Sequence, residues 1–123
     1  MTRYIKILGK TGSGKSSSGL LLGFTELQRL IKEGFKPRIL IVSDFSFREI
    51  ISILRRFDMN CENLLQNMNI SITNTIDNNE VFINKKFDII VYDLLNKNLC
   101  ELDINKASTL FIQTIQETRI ITK

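Results

Sequence analysis

Two hydrophobic rhythms alternate along the chain. Short apolar runs of strand length occur at Tyr4 to Leu8, Arg38 to Ser43, Asn69 to Thr73, Phe87 to Leu95 and Ser108 to Gln116. Between the first two, Leu20, Phe24, Leu27 and Leu30/Ile31 recur at helical spacing, which predicts a helix from about Lys15 to Glu33. Gly34 is suited to a left-handed stop, and Pro37, the sole proline, prevents continuation. After the second run, Ser46 with Glu49 three residues on reads as a capping box opening a helix over Phe47 to Phe57. Its apolar stripe is expected to be Phe47, Ile50, Ile51, Leu54 and Phe57, with Arg48, Ser52, Arg55 and Arg56 outside.

The remaining segments carry weaker signals. Asp58 to Asn60 reads as a turn, Cys61 to Asn67 as a short helix, Glu80 to Ile83 as a further helical piece and Asp103 to Ala107 as a helical turn. The terminal RIITK fits an edge strand. Strands that alternate with helices predict an α/β three-layer sandwich around a mostly parallel sheet. FDIIVYDLL, apolar almost throughout, belongs at the centre of that sheet.

Composition narrows the chemistry. The length of 123 residues suits a single minimal domain. With no histidine, a Ser–His–Asp triad, imidazole acid–base catalysis and His-ligated metals are excluded. Cys61 and Cys100 form no C-x-x-C pattern and read as reduced, buried thiols of a cytoplasmic protein. No apolar run approaches the roughly 20 residues that span a bilayer, so no membrane insertion is expected. Met1 leads within two residues into a strand, so no signal peptide is expected either. The net charge of +4 permits anionic partners, but the cations are scattered, so nucleic acid is not indicated.

One motif carries a mechanism. Gly9-Lys10-Thr11-Gly12-Ser13-Gly14-Lys15-Ser16 fits G-x-x-x-x-G-K-[ST] at every fixed position, after a strand and opening a helix. Its glycines let consecutive backbone N–H groups face phosphate oxygens, and the helix N-terminus adds unpaired donors and its positive dipole end. Lys15 is expected to reach the β- and γ-phosphates, Ser16 to ligate Mg²⁺, and Ser17 to complete the phosphate-binding turn. A second Mg²⁺ acid should end a neighbouring apolar strand, and Asp93 is that residue. Asp88 starts the same strand, at the end away from any nucleotide. The position after Asp93, where many P-loop ATPases carry a water-orienting Glu, holds Leu94. Asp44, at the end of the strand after the first helix, is the remaining candidate for that work.

A P-loop, an acid ending the next strand, and a magnesium Asp with no Glu after it resemble the arrangement of RecA-like ATPases, and most nearly the KaiC/RadA branch. Ser43 to Ile72 is similar to that branch's acidic strand end, helix, turn, short helix and strand. The family has two adjacent Glu residues where this chain has Asp44 and Phe45. Thr109 to Arg119 is similar to the RecA-like strand that lies between the P-loop and magnesium-Asp strands. By that likeness Thr114 is the γ-phosphate sensor, with Gln113 beside it as a second ligand. The resemblance implies a homo-oligomer with ATP at subunit borders, where Arg119 or Lys123 could serve as the neighbour's cation. The long DNA-contacting loop of the recombinases has no counterpart of its length here.

These readings imply Mg²⁺–ATP binding with slow hydrolysis, and Asp44, Lys15 and Thr114 as the catalytic set. ATP rather than GTP follows from the likeness, and Leu99 stands where a GTPase N-K-x-D motif needs Asp. Two alternatives stay open: a nucleotide-binding switch or assembly module that does not hydrolyse, and a small-molecule kinase using Asp44 as base with Arg48 nearby.

Overall fold

Non-polar residues on both faces of a strand require cover on both sides, and the central strand of the fold meets that requirement. In a computed structural model, which describes residues 2–9, 14–57, 69–73, 86–94 and 106–116, the elements in chain order are β1 (Arg3–Gly9), α1 (Lys15–Lys32), β2 (Arg38–Ser43), α2 (Phe47–Arg56), β3 (Asn69–Thr73), β4 (Phe87–Asp93) and β5 (Ala107–Gln116). The five strands form one sheet in the order β1-β5-β4-β2-β3, with every pairing parallel. β4 is central and buried along nearly its whole length. β5, last in sequence, inserts between β1 and β4, the neighbours expected for it. All strand C-termini therefore meet at one edge of the sheet.

Side-chain alternation divides the core in two. On the first face Ile39, Ile41, Ile89, Val91, Leu110 and Ile112 pack with Leu20, Phe24, Leu27 and Leu30 of α1 and Ile50, Ile53 and Leu54 of α2. On the second face Leu40, Val42, Ile90, Tyr92, Leu94 and Phe111 form a separate buried cluster. Both described helices thus lie on the first face, and the third layer of the expected sandwich falls outside the described residues. So do the expected turn at 58–60, the short helices at 61–67 and 80–83, most of the turn at 103–107, both cysteines and the terminal strand.

Local signals set the helix ends. α1 stops in a Schellman arrangement: Gly34 (φ 91) donates its N–H to the Ile31 carbonyl and Phe35 to that of Leu30, each at 3.0 Å. α2 opens with the full capping box, Glu49 N–H to Ser46 Oγ and Ser46 N–H to Glu49 Oε1, both 3.2 Å. Such caps stabilise by about 1 kcal/mol. Burying side chains like Phe24, Leu20 and Leu27, at roughly 1.5–3 kcal/mol each, therefore decides where the helices pack. The α2 stripe departs from the expected one. Ile50, Ile53 and Leu54 are buried, whereas Phe47 and Phe57 are 44% and 45% exposed. The chain pins α2 by its three aliphatic residues, which rotates both phenyl rings outward.

α1 comes unusually near the sheet. A Cβ added at Gly23 would lie 2.8 Å from Val91 Cγ2, and one at Gly19 3.3 Å from Thr114 Cγ2. These two glycines, one turn apart, let the helix axis settle over β4 and β5, and they set the height of the α1 N-terminus above the strand ends.

Candidate functional site

Between its two ends the first face of the sheet is apolar. Level with Ile7 of β1 come Thr114 of β5, Asp93 of β4 and Ser43 of β2, through the pairs Ile7↔Thr114 and Ser43↔Asp93 and the hydrogen bond from Thr114 Oγ1 to Asp93 Oδ1. All three polar residues are buried, at 3–4% exposure. Burying such groups is unfavourable without partners. Thr114 and Asp93 partner each other, and the Ser43 hydroxyl accepts the Phe45 N–H at 3.1 Å. A polar row at the strand C-termini, directly beneath the start of a helix, is where ligands bind in open parallel α/β sheets.

The start of α1 faces this row. Its N-cap is Gly14, in the left-handed region at φ 82, where any Cβ would be strained. Among the described residues no side chain caps this end, and its first turn holds no acid. The first helical bond is Ser18 N–H to the Gly14 carbonyl at 3.0 Å, so the amides of Lys15, Ser16 and Ser17 lie ahead of the helical ladder. Lys15 is 5% exposed, with Ser16 and Ser17 half-buried beside it. Gly19, whose Cα sits over Thr114, is one turn beyond Lys15, about 6 Å along the axis. A buried cation, the first turn of a helix, a carboxylate and hydroxyls thus lie at the edge where β1 ends and α1 begins. Gly9 closes β1 at that edge; Lys10, Thr11, Gly12 and Ser13 lie outside the described residues.

Asp44 follows directly after Ser43 and is exposed. Since Ser46 and Glu49 cap α2, Asp44 is not committed to the cap. With Ser43, Phe45, Ser46, Ile72 and Thr73 it lines a depression of about 350 Å³ at the ends of β2 and β3. β4 is on the other side of β2. Asp44 therefore follows the residue that pairs with Asp93, one strand over from it. Gln113 departs further: it pairs in register with Tyr92 and Lys6, and its side-chain oxygen accepts the Tyr4 hydroxyl on the second face. Strand alternation turns it away from Lys15 and Thr114. Ser43, level with Asp93, was not singled out from the sequence. Its signal was a hydroxyl ending an apolar strand, overshadowed there by the acid next to it.

Two other described acids, Asp88 and Glu26, lie at the opposite end of the sheet. Asp88 accepts the Arg38 N–H at 2.7 Å and the Ser108 hydroxyl at 3.1 Å, tying together the starts of β2, β4 and β5. Glu26, buried on α1, holds Arg3 at the start of β1 at 2.9 Å and Arg29 on its own helix. The hydrogen bonds from Arg29 lower the Glu26 pKa most, with the charges of Arg29 and Arg3 adding to them against the opposing effect of burial. Both acids are structural.

Among the described residues no three His, Cys, Asp or Glu side chains cluster as a metal cage. A phosphate-bound Mg²⁺ needs none, because it takes one or two protein oxygens and fills its octahedron with phosphate and water. Ser16 and Asp93 supply oxygens of that kind, and the donor set fits. Among the described residues no helix is long and apolar enough to cross a membrane. No known family model matches the chain, and no curated protein matches its sequence.

Proposed function

We propose that the chain is a RecA-like P-loop domain that binds Mg²⁺–ATP and hydrolyses it slowly. The observation that carries this reading is the placement of buried Lys15 and the α1 N-terminus at the sheet edge that holds the buried Thr114–Asp93–Ser43 row. Backbone amides of the Gly9–Ser16 loop and of the first α1 turn would take the phosphate oxygens, with Lys15 neutralising their charge. Ser16 and Asp93 would hold the cation, which when bound withdraws negative charge from the β- and γ-phosphates. Thr114 fixes the Asp93 carboxylate by its hydrogen bond. Asp44, one strand over from Asp93, is the acid available to hold an attacking water, and Leu94, 8% exposed and apolar, is not.

A second reading, binding without turnover, draws support from the exposure of Asp44 and its place on the β2–β3 depression. Binding of a fluorescent ATP analogue and release of phosphate, both with Mg²⁺, separate the two. The expected result is binding and slow release by the wild type, with at least about tenfold weaker binding for Lys15→Ala. Asp44→Asn should bind as the wild type does and release no phosphate. Binding with no release by the wild type would select the second reading, and no binding at all would overturn both. Release that appears only with a sugar or nucleoside acceptor would instead mark a kinase.

A further inference from the structure

The Ser43 hydroxyl is out of keeping with the strand that carries it. Ser43 closes β2 after the buried apolar residues Ile39, Leu40, Ile41 and Val42, and is itself 3% exposed. A valine there would gain from burial, whereas a hydroxyl carries a desolvation cost unless it is hydrogen-bonded. The bond it makes is local. Its Oγ accepts the Phe45 N–H at 3.1 Å, which closes an ST-turn around the residue between them, Asp44.

Entry into α2 does not need this turn. Ser46 and Glu49 already cap the helix, and Phe45 packs against the core one residue before the cap. What the cap leaves undetermined is the direction of the chain at Asp44. That side chain is exposed, and among the described residues its carboxylate has no hydrogen-bond or ion-pair partner. Ser43 also links the two acids of the candidate site. It pairs in register with Asp93, and it lines the same depression as Asp44. Paired strands lie about 4.8 Å apart and consecutive Cα atoms about 3.8 Å, so the Asp44 Cα is within about 9 Å of that of Asp93.

We propose that Ser43 is a positioning residue for phosphate release: its bond to the Phe45 N–H sets the direction of Asp44, so that the carboxylate holds the attacking water in line. This rests on the hydrolysis reading and adds to it the group that aims its acid. Misplacing a reacting group by about 1 Å can cost roughly a hundredfold in rate, while phosphate contacts made by Lys15 and the α1 amides are left in place.

Ser43→Thr and Ser43→Val test this, because the two side chains share a shape and differ in the hydroxyl. On the full-length wild type and both variants, binding of a fluorescent ATP analogue, phosphate release with Mg²⁺ and hydrogen exchange of the Phe45 amide are measured, with thermal unfolding as the check on folding. Ser43→Thr should release phosphate nearly as fast as the wild type. Ser43→Val should release it at least about tenfold more slowly, exchange the Phe45 amide faster, and bind the analogue as the wild type does. A purely structural turn would lower the unfolding temperature of Ser43→Val without this split between binding and release. Equal release by the two variants, or analogue binding in Ser43→Val weakened as much as release, would overturn the proposal and leave the hydrolysis reading standing. Absence of release by the wild type would overturn both.

Discussion

Thr114 and Asp93 form the most consequential pair of side chains in the molecule, both buried and joined by a hydrogen bond. A buried carboxylate that loses a donor bears the desolvation cost of the oxygen left behind, about 1–3 kcal/mol and more for a charged group. Thr114→Val, which keeps the shape and removes the hydroxyl, is therefore expected to destabilise the fold by at least that amount in urea unfolding. Thr114→Ser should recover most of it. The same pair changes how Thr114 is understood. The family likeness made it a sensor of phosphate, whereas its hydroxyl is engaged in holding the acid of the neighbouring strand. Gln113, its neighbour in sequence, illustrates the strictness of strand alternation: one residue along, the side chain is on the other face with Tyr4.

Elements in this fold are held by two kinds of interaction that substitutions can separate. Ser46→Ala removes one half of the α2 capping box and should cost about 1 kcal/mol, read as a lower unfolding midpoint with an unchanged denaturant slope. Gly23→Ala tests packing instead. In an isolated helix alanine would stabilise by about 1 kcal/mol. Here its Cβ would meet Val91 at 2.8 Å, and overpacking of that kind costs about 1–3 kcal/mol. Net destabilisation is expected, because α1 must lift from β4. The lift should also move the α1 N-terminus relative to Asp93, so nucleotide binding in this variant should weaken along with stability. Unchanged stability in Gly23→Ala would show that the helix has room to move without loss.

At the scale of the whole molecule, Asp88 and Glu26 tie the strand N-termini together, while the candidate site lies at the strand C-termini. Glu26 predicts an acid-sensitive fold. Its folded pKa lies below its ordinary value of 4.5, so the stabilisation is fully present above pH 4.5 and is lost as the pH falls below it through the depressed folded value. Unfolding measured from neutral pH downward should show wild type and Glu26→Gln converging in that acid window, and a constant difference there would contradict the assignment. Local information in the chain was enough for the described element spans, to within one or two residues, and for the Ser46–Glu49 cap. Each of these depends on residues within one or two turns, and β2 and β3 have the spans their apolar runs predict. The boundary of β4 was less legible, since Leu94 is as apolar as the strand it follows. The outward rotation of Phe47 and Phe57 could not be read from periodicity, because a stripe rich in apolar residues allows more than one buried face. Nor could the contact of Thr114 with Asp93, 21 residues away, or the turning of Gln113 from the site, because both follow from the register of parallel strands. Sequence alone named the candidate residues for phosphate and metal. Only the tertiary structure decided which of them meet, because register and helix height are set by the packing of the whole core rather than by any one segment.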